Sequence, residues 1–311
     1  MTDDRDHTDE DIDVFDRPDI GQDVSIDQRW SPLPLSALLT VEEADELLRW
    51  RAASVIAIVG ERNGGKTTLI TEIYERFSRG PFADAFFCES WSLLGFEKKS
   101  FQSRAESGGE RPDTPRTSAQ DGLKFFHLAV SEGADLRRTD LLISERAGEV
   151  YRETRDKPEL AVDLVEVSKA DILVFIVDGE RVADVRKRSE VFASVRNMIR
   201  ALSEAGNVAT STRIQLVTTK CDLLEGDGAE DLREALSDFE NRISSMFGEK
   251  YLIQSFRTVA RDPTGAIEPA RGLSQLLRSW LETPFPESSV DVKLPELFDE
   301  FDRLLLRRII Q

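Results

Sequence analysis

Ser54-Val-Ile-Ala-Ile-Val-Gly60-Glu-Arg-Asn-Gly-Gly-Lys66-Thr67-Thr68 joins a short, nearly continuous apolar run to a glycine-rich turn, and a helical stretch, Thr67–Ser78, follows. An apolar run without polar alternation suits a strand buried on both faces of a parallel sheet. Working outward, further buried-strand candidates are Leu123–Val130, Leu141–Ser144, Asp171–Asp178, Arg213–Thr218 and Ser255–Val259. Helical stretches lie between most of them: Glu159–Lys169, Ala183–Ala205, Glu230–Met246 and Gly272–Glu282. Alternating strand and helix predict an α/β fold with a doubly wound, mostly parallel sheet of about six strands. The runs 123–130 and 141–144 are joined by a short polar link, Ser131–Thr139, and read as a hairpin, so one strand is expected to be antiparallel.

The turn Gly60–Thr67 fits the phosphate-loop pattern G-x-x-x-x-G-K-[ST], with a buried strand before it and a helix after it. Glycines at Gly60, Gly64 and Gly65, with Asn63 between them, let the backbone curl until successive N–H groups point inward at phosphate oxygens. The helix N-terminus adds its partial positive charge. Lys66 is expected to reach the β- and γ-phosphates and assist catalysis, the Thr67 hydroxyl to bind Mg²⁺, and Thr68 to approach the α-phosphate through its backbone. The motif names neither the base nor the reaction.

Two more elements follow apolar strands. Thr219-Lys220-Cys221-Asp222 resembles the N/T-K-x-D element of GTPases, which implies that Asp222 accepts hydrogen bonds from guanine N1–H and the 2-amino group. Adenine offers neither donor and leaves the carboxylate unsatisfied, a cost on the order of a few kcal/mol. The Lys220 stem would lie along base and ribose, and Thr219 stands where Asn is commoner. Leu141-Leu-Ile-Ser-Glu145-Arg-Ala-Gly148-Glu149 looks like the D-x-x-G of Ras-like GTPases with Glu145 in place of Asp. The resemblance implies Glu145 on Mg²⁺, the Gly148 N–H on the γ-phosphate, and Glu149 in the place of the water-orienting Gln.

Taken in order, the loop, Glu145–Gly148 and Thr219–Asp222 resemble the translation-factor and Ras class of P-loop GTPases over residues 52–283. Within that span, Cys88–Glu97 (Cys-Glu-Ser-Trp-Ser-Leu-Leu-Gly-Phe-Glu) and the Thr-Pro-Arg-Thr stretch look like the bacterial double-GTPase families of defence-type gene clusters. The resemblance implies a threonine closing on Mg²⁺ before the hairpin; Thr114 and Thr117 are available, with Thr117 nearer the next strand. Arg116, and also Arg111, would serve as a built-in arginine finger, and Arg62, at a loop position where Ras proteins have glycine, would block a finger supplied in trans or supply the charge itself. Thr258-Val259-Ala260 stands where GTPases place a Ser-Ala pair, which implies a backbone N–H of Val259 or Ala260 on guanine O6. Three readings stay open: a GTP-hydrolysing switch with Mg²⁺ and other proteins of its cluster as partners; a GTP-binding scaffold with little hydrolysis; and a P-loop ATPase with Asp178 as its metal acid. Strand 171–178 against 54–60 with an extra strand inserted favours the last, and strand 141–144 beside 54–60 favours the first two.

Composition bounds the rest. The 311 residues carry a formal net charge of −18, which argues against nucleic acid or anionic membrane as partner. Residues 1–27 hold eleven acids against two arginines, a local net of −9. Residues 1–28 therefore read as an acidic disordered tail, 29–51 as a lead-in with a helix capped by Thr40 and Glu43, 52–283 as the nucleotide-binding domain, and 284–311 as a proline-containing linker and C-terminal amphipathic helix. Cys88, Cys221, His7 and His127 do not stand in any familiar zinc spacing. No leader-like N-terminus is present, and runs such as Ile172–Val177 are far shorter than the roughly 20 residues of a membrane span. The expectation is a soluble, cytoplasmic protein.

Overall fold

The computed structural model describes residues 37–103, 122–133, 136–226, 228–261 and 269–282, with the side chains of 101–103 left out. One sheet of seven strands carries the chain: β1 (Ala53–Val59), β2 (Ala85–Glu89), β3 (Lys124–Glu132), β4 (Arg137–Glu145), β5 (Ile172–Asp178), β6 (Arg213–Thr219) and β7 (Ile253–Arg257). Their order is β2-β3-β4-β1-β5-β6-β7. Strand β3 pairs antiparallel with both β2 and β4, and every other pairing is parallel. The expected hairpin is therefore present, and β4 lies directly beside β1. Strand β5 flanks β1 on its other side, and no strand is inserted.

Period-two alternation sends the side chains of β1 to two opposite cores. Ile56 and Ile58 join one cluster with Leu69, Ile70 and Ile73 of α2 (Lys66–Phe77) and Leu273, Leu276 and Trp280 of α9 (Leu273–Leu281). Ala57 and Val59 join the other, with residues of α7 (Val185–Glu204) and α8 (Glu230–Phe247). All seven residues of β1 and of β5 are buried, as a strand covered on both faces requires. A smaller cluster packs Ala44 and Leu47 of α1 (Val41–Trp50) on Val55, Phe125 and Leu142. The α1 capping box forms as read: the Glu43 N–H donates to Thr40 Oγ1 at 3.2 Å and the Thr40 N–H to Glu43 Oε2 at 2.7 Å.

Four elements depart from expectation. Strand β2 is an added edge strand whose middle residues, Phe86, Phe87 and Cys88, are exposed, so it has no buried alternation to read. The stretch 92–122, rich in Ser, Gly, Arg and Glu without a clear period, contains α3 (Leu93–Ser103). The single helix expected over Glu159–Lys169 is instead a 3-10 helix, Pro158–Asp163, and one turn, α5 (Val165–Ser168), preceded by an unforeseen α4 (Gly148–Asp156). Pro158 ends the α-helical run, and α4 buries only Gly148, Tyr151 and Thr154, too few for an apolar stripe. The helix expected over Ala183–Ala205 breaks at Asp184 into α6 (Gly179–Ala183) and α7, because the Asp184 side chain caps α7. The tail (1–28), the C-terminal helix candidate and its linker (284–311) lie outside the described residues. No helix among the described residues is long and apolar enough to cross a membrane.

Candidate functional site

The turn between β1 and α2 is shaped by backbone that residues with a side chain rarely adopt. Gly65 has φ +88° and Asn63 φ +63°, both left-handed. A Cβ on Gly60 would come 2.8 Å from Ile176 Cβ, so β5 packs against the loop as closely as a glycine permits. Lys66 opens α2 and folds back over the turn, its ammonium donating to the carbonyls of Gly60 (2.8 Å) and Glu61 (3.1 Å). Burial lowers the Lys66 pKa, and the carboxylates of Glu145, Glu149 and Glu61 oppose that shift.

The strand pairing of β4 with β1 delivers Glu145 to the same place. The Thr67 hydroxyl donates to Glu145 Oε1 at 2.8 Å across 78 residues of chain, from a half-buried threonine to a buried carboxylate. Just before it, Ser144 Oγ accepts from the Ile58 N–H at 2.9 Å and locks the ends of the two strands together. Gly148 begins α4 hard against the loop: a Cβ there would sit 2.4 Å from the Arg62 nitrogen and 2.6 Å from the Glu61 carbonyl carbon. Glu149 follows, and its carboxylate lies 3.8 Å from the Arg62 guanidinium; the side chains are 44% and 51% exposed for Arg62 and Glu149 respectively. A hydroxyl and a carboxylate at the mouth of a phosphate loop are the hard oxygen donors that Mg²⁺ prefers, so the residues present fit that ion.

From the end of β6, Thr219 Oγ1 donates to the Gly64 carbonyl at 2.9 Å, fully within the interior. Lys220 takes a left-handed conformation, φ +52°, and its ammonium reaches the Asn63 carbonyl at 3.1 Å. It also pairs with Asp178 (3.0 Å) and Glu180 (2.7 Å). Burial alone would lower the Lys220 pKa; the hydrogen bond to Glu180 and the charge of Asp178 outweigh it, and the pKa is raised. Asp222 lies in the first turn of the 3-10 helix Cys221–Leu224, partly buried. That helix is pinned to the segment after β7, where the Cys221 N–H donates to the Thr258 carbonyl and the Thr258 N–H to the Thr218 carbonyl. Burial pushes the Cys221 thiol up to about 11.

The Val259 N–H donates to the Arg271 carbonyl at 2.9 Å. The Val259 N–H is thereby engaged with the returning chain. Asp178 caps α6 through the Glu180 N–H and pairs with Lys220, while Glu145 meets Thr67. Thr114, Thr117, Arg111 and Arg116 lie outside the described residues. The Cys88–Glu97 stretch builds a corner of the fold: Ser90 Oγ donates to the His127 carbonyl and the Trp91 N–H to His127 Nδ1.

Some residues of the site gave no warning. Glu61 sits at a free position of the loop pattern, yet its carboxylate accepts from Arg155 (2.6 Å), Arg181 (2.7 Å) and Ser194 (2.6 Å). Burial works to raise its pKa, and the Ser194 and Arg181 contacts hold it below the usual carboxylate value. These partners come from α4, α6 and α7, 94 to 133 residues away, and no spacing rule connects them. Gly179 is another: a Cβ would meet the Thr219 carbonyl at 2.2 Å.

A family model described as Double-GTPase 2 matches residues 54–281. None of the curated proteins matches the sequence. Among solved structures, the chain is similar to the signal recognition particle receptor SRb-GTP/SRX complex from Chaetomium thermophilum, at 14% identity and TM-score 0.41, covering 74% of this chain and 97% of that one. It is also similar to the S. cerevisiae Ski7 GTPase-like domain bound to GDP and inorganic phosphate (10%, TM-score 0.44, 81% of this chain and 54% of that one). A third is Methanosarcina barkeri Roco2 RocCORdC bound to GDP (12%, TM-score 0.36, 75% and 50%). The chain spans about half the length of the last two, and likenesses this distant carry no functional argument.

Proposed function

The chain belongs to the Double-GTPase 2 family, and on that premise we propose that it binds GTP and GDP with Mg²⁺ and hydrolyses GTP as a molecular switch in the cytoplasm, within a multi-protein bacterial assembly of the defence type. The observation that carries the reading is the 2.8 Å hydrogen bond between the Thr67 hydroxyl and Glu145, which joins two of the three candidate metal residues at the mouth of the loop. Mg²⁺, when bound, neutralises charge on the β- and γ-phosphate oxygens. Lys66 turns from the loop carbonyls to the phosphates, the Gly148 N–H meets the γ-phosphate, and Glu149 orients or deprotonates the attacking water. Thr219 and Lys220 hold the loop from the base side, while Asp222 accepts from guanine. The position of β4 beside β1, without an inserted strand, is the order set out above as favouring a GTPase over an ATPase.

A scaffold that binds GTP and turns it over slowly is the second reading. The Arg62–Glu149 pair favours it, because a carboxylate repels the γ-phosphate where a glutamine would not. Calorimetry with GTP, GDP, a non-hydrolysable GTP analogue and ATP, each with Mg²⁺, tests the shared part: guanine-selective binding that Asp222→Ala abolishes is expected, and equal ATP binding would overturn it. Phosphate release at saturating GTP then separates switch from scaffold.

A further inference from the structure

Helix α2 carries two carboxylates that the nucleotide chemistry does not use. Glu72 and Glu75 are 1% and 5% exposed. A buried carboxylate is tolerated only when charge and hydrogen bonds meet it. Arg76 pairs with Glu72 along the helix. The second cation comes from far away in the sequence: Arg261 Nε donates to Glu72 Oε2 at 2.8 Å and Nη2 to Glu75 Oε1 at 3.0 Å. One guanidinium spans both acids, with its side chain 21% exposed.

Arg261 directly follows Ala260, whose N–H the sequence reading places, with that of Val259, at guanine O6. Among the described residues, these attachments hold that peptide. The Val259 N–H donates to the Arg271 carbonyl, and the Ala260 carbonyl accepts from the Ala270 N–H at 3.0 Å. Both of these partners lie on the returning arm, which leads into α9. The Arg261 fork adds a direct tie from the loop to the helix that opens at Lys66. The base end is thereby referenced to the phosphate end through α2.

We propose that Arg261 is a positioning residue for base selectivity, holding the Ala260 peptide where its N–H meets a guanine O6 acceptor and opposes the adenine 6-amino donor. The proposal rests on the guanine-nucleotide reading above. A peptide held in place rejects adenine, because donor faces donor; a loosened one swings aside and rejects it less. Lys66 and Thr67 contact neither Arg261 nor its acids in any described bond, so binding of the phosphates is expected to survive. Lysine cannot replace the fork, being a single point charge.

The test is competition binding of GDP and ADP to the full chain with Mg²⁺, for wild type, Arg261→Gln, Arg261→Lys and Glu75→Gln, with melting temperatures alongside. Glu75→Gln neutralises one of the two acids the fork meets and keeps Glu72, so it stands in if Arg261→Gln does not fold. The GDP-over-ADP affinity ratio is expected to fall about tenfold in Arg261→Gln and less in Arg261→Lys and Glu75→Gln. A purely structural role weakens both nucleotides alike; an unchanged ratio in folded variants, whatever the melting temperature, overturns the proposal. A wild type without guanine preference overturns the guanine reading itself, which is a separate result.

Discussion

At the end of the site read for the phosphates, glycines lie where no side chain fits: an added Cβ would come 2.8 Å from the Ile176 side chain at Gly60 and 2.4 Å from the Arg62 nitrogen at Gly148. At the base end, side chains reach over to carbonyls: Thr219 to Gly64, Lys220 to Asn63, and Arg261 to the acids of α2. The first kind of contact is set by what is missing from a residue, and an added atom must displace the Ile176 side chain or the Arg62 main chain. The second is set by what a side chain offers, and a substitution there loses one bond at a time. The difference teaches that the phosphate end should fail abruptly on mutation and the base end by degrees.

The strongest challenge to that contrast is Lys66→Ala. Removing a charge that serves two phosphate groups is expected to weaken GTP and ATP alike by about a hundredfold, with guanine preference intact, read by calorimetry. Asp222→Ala is its mirror image: GTP affinity falls by about tenfold to a hundredfold toward that of ATP, while phosphate contacts persist. Gly148→Ala tests the backbone packing alone. A methyl forced on the Arg62 peptide is expected to cost about 1–3 kcal/mol in thermal or denaturant unfolding, and a neutral result would show that α4 simply moves aside. Thr219→Val removes one buried hydrogen bond and leaves the Gly64 carbonyl unmet, for about 1 kcal/mol, with Thr219→Ser recovering most of it. The smallest effect belongs to Arg62→Ala. The pair it makes with Glu149 is half-exposed at 3.8 Å, so stability should change by less than about 0.5 kcal/mol. Its phosphate-release rate sharpens the comparison: faster turnover marks Arg62 as an obstacle, slower turnover as a source of charge.

The legible parts of the site are those in which one residue type suffices within a short window. The loop Gly60–Thr67, Glu145–Gly148 and Thr219–Asp222 are each contiguous, and each follows an apolar strand, so their places at the strand ends could be read directly. The hairpin was readable because two apolar runs were too close in sequence for a crossover. Strand β2 was not, since an exposed edge has no buried face to mark it. Helix α4 was not, since a helix docked by a glycine, a tyrosine and a threonine shows no apolar period.

What the sequence determined alone is the alternation of strand and helix and the chemistry at the strand ends, because burial on both faces and phosphate cradling each constrain consecutive residues. What the tertiary structure decided is which of those ends meet and which donors remain. Asp178 and Glu145 both end buried strands, yet pairing of β4 with β1 brings Glu145 to Thr67, while Asp178 is taken up by Lys220. Val259 and Ala260 are neighbours, yet the return of the chain at Arg271 uses the N–H of Val259. Glu61 and Arg261 become structural anchors through partners 94 and 189 residues distant. Such pairings cost chain entropy that only the assembled core offsets, and for that reason no local pattern announces them.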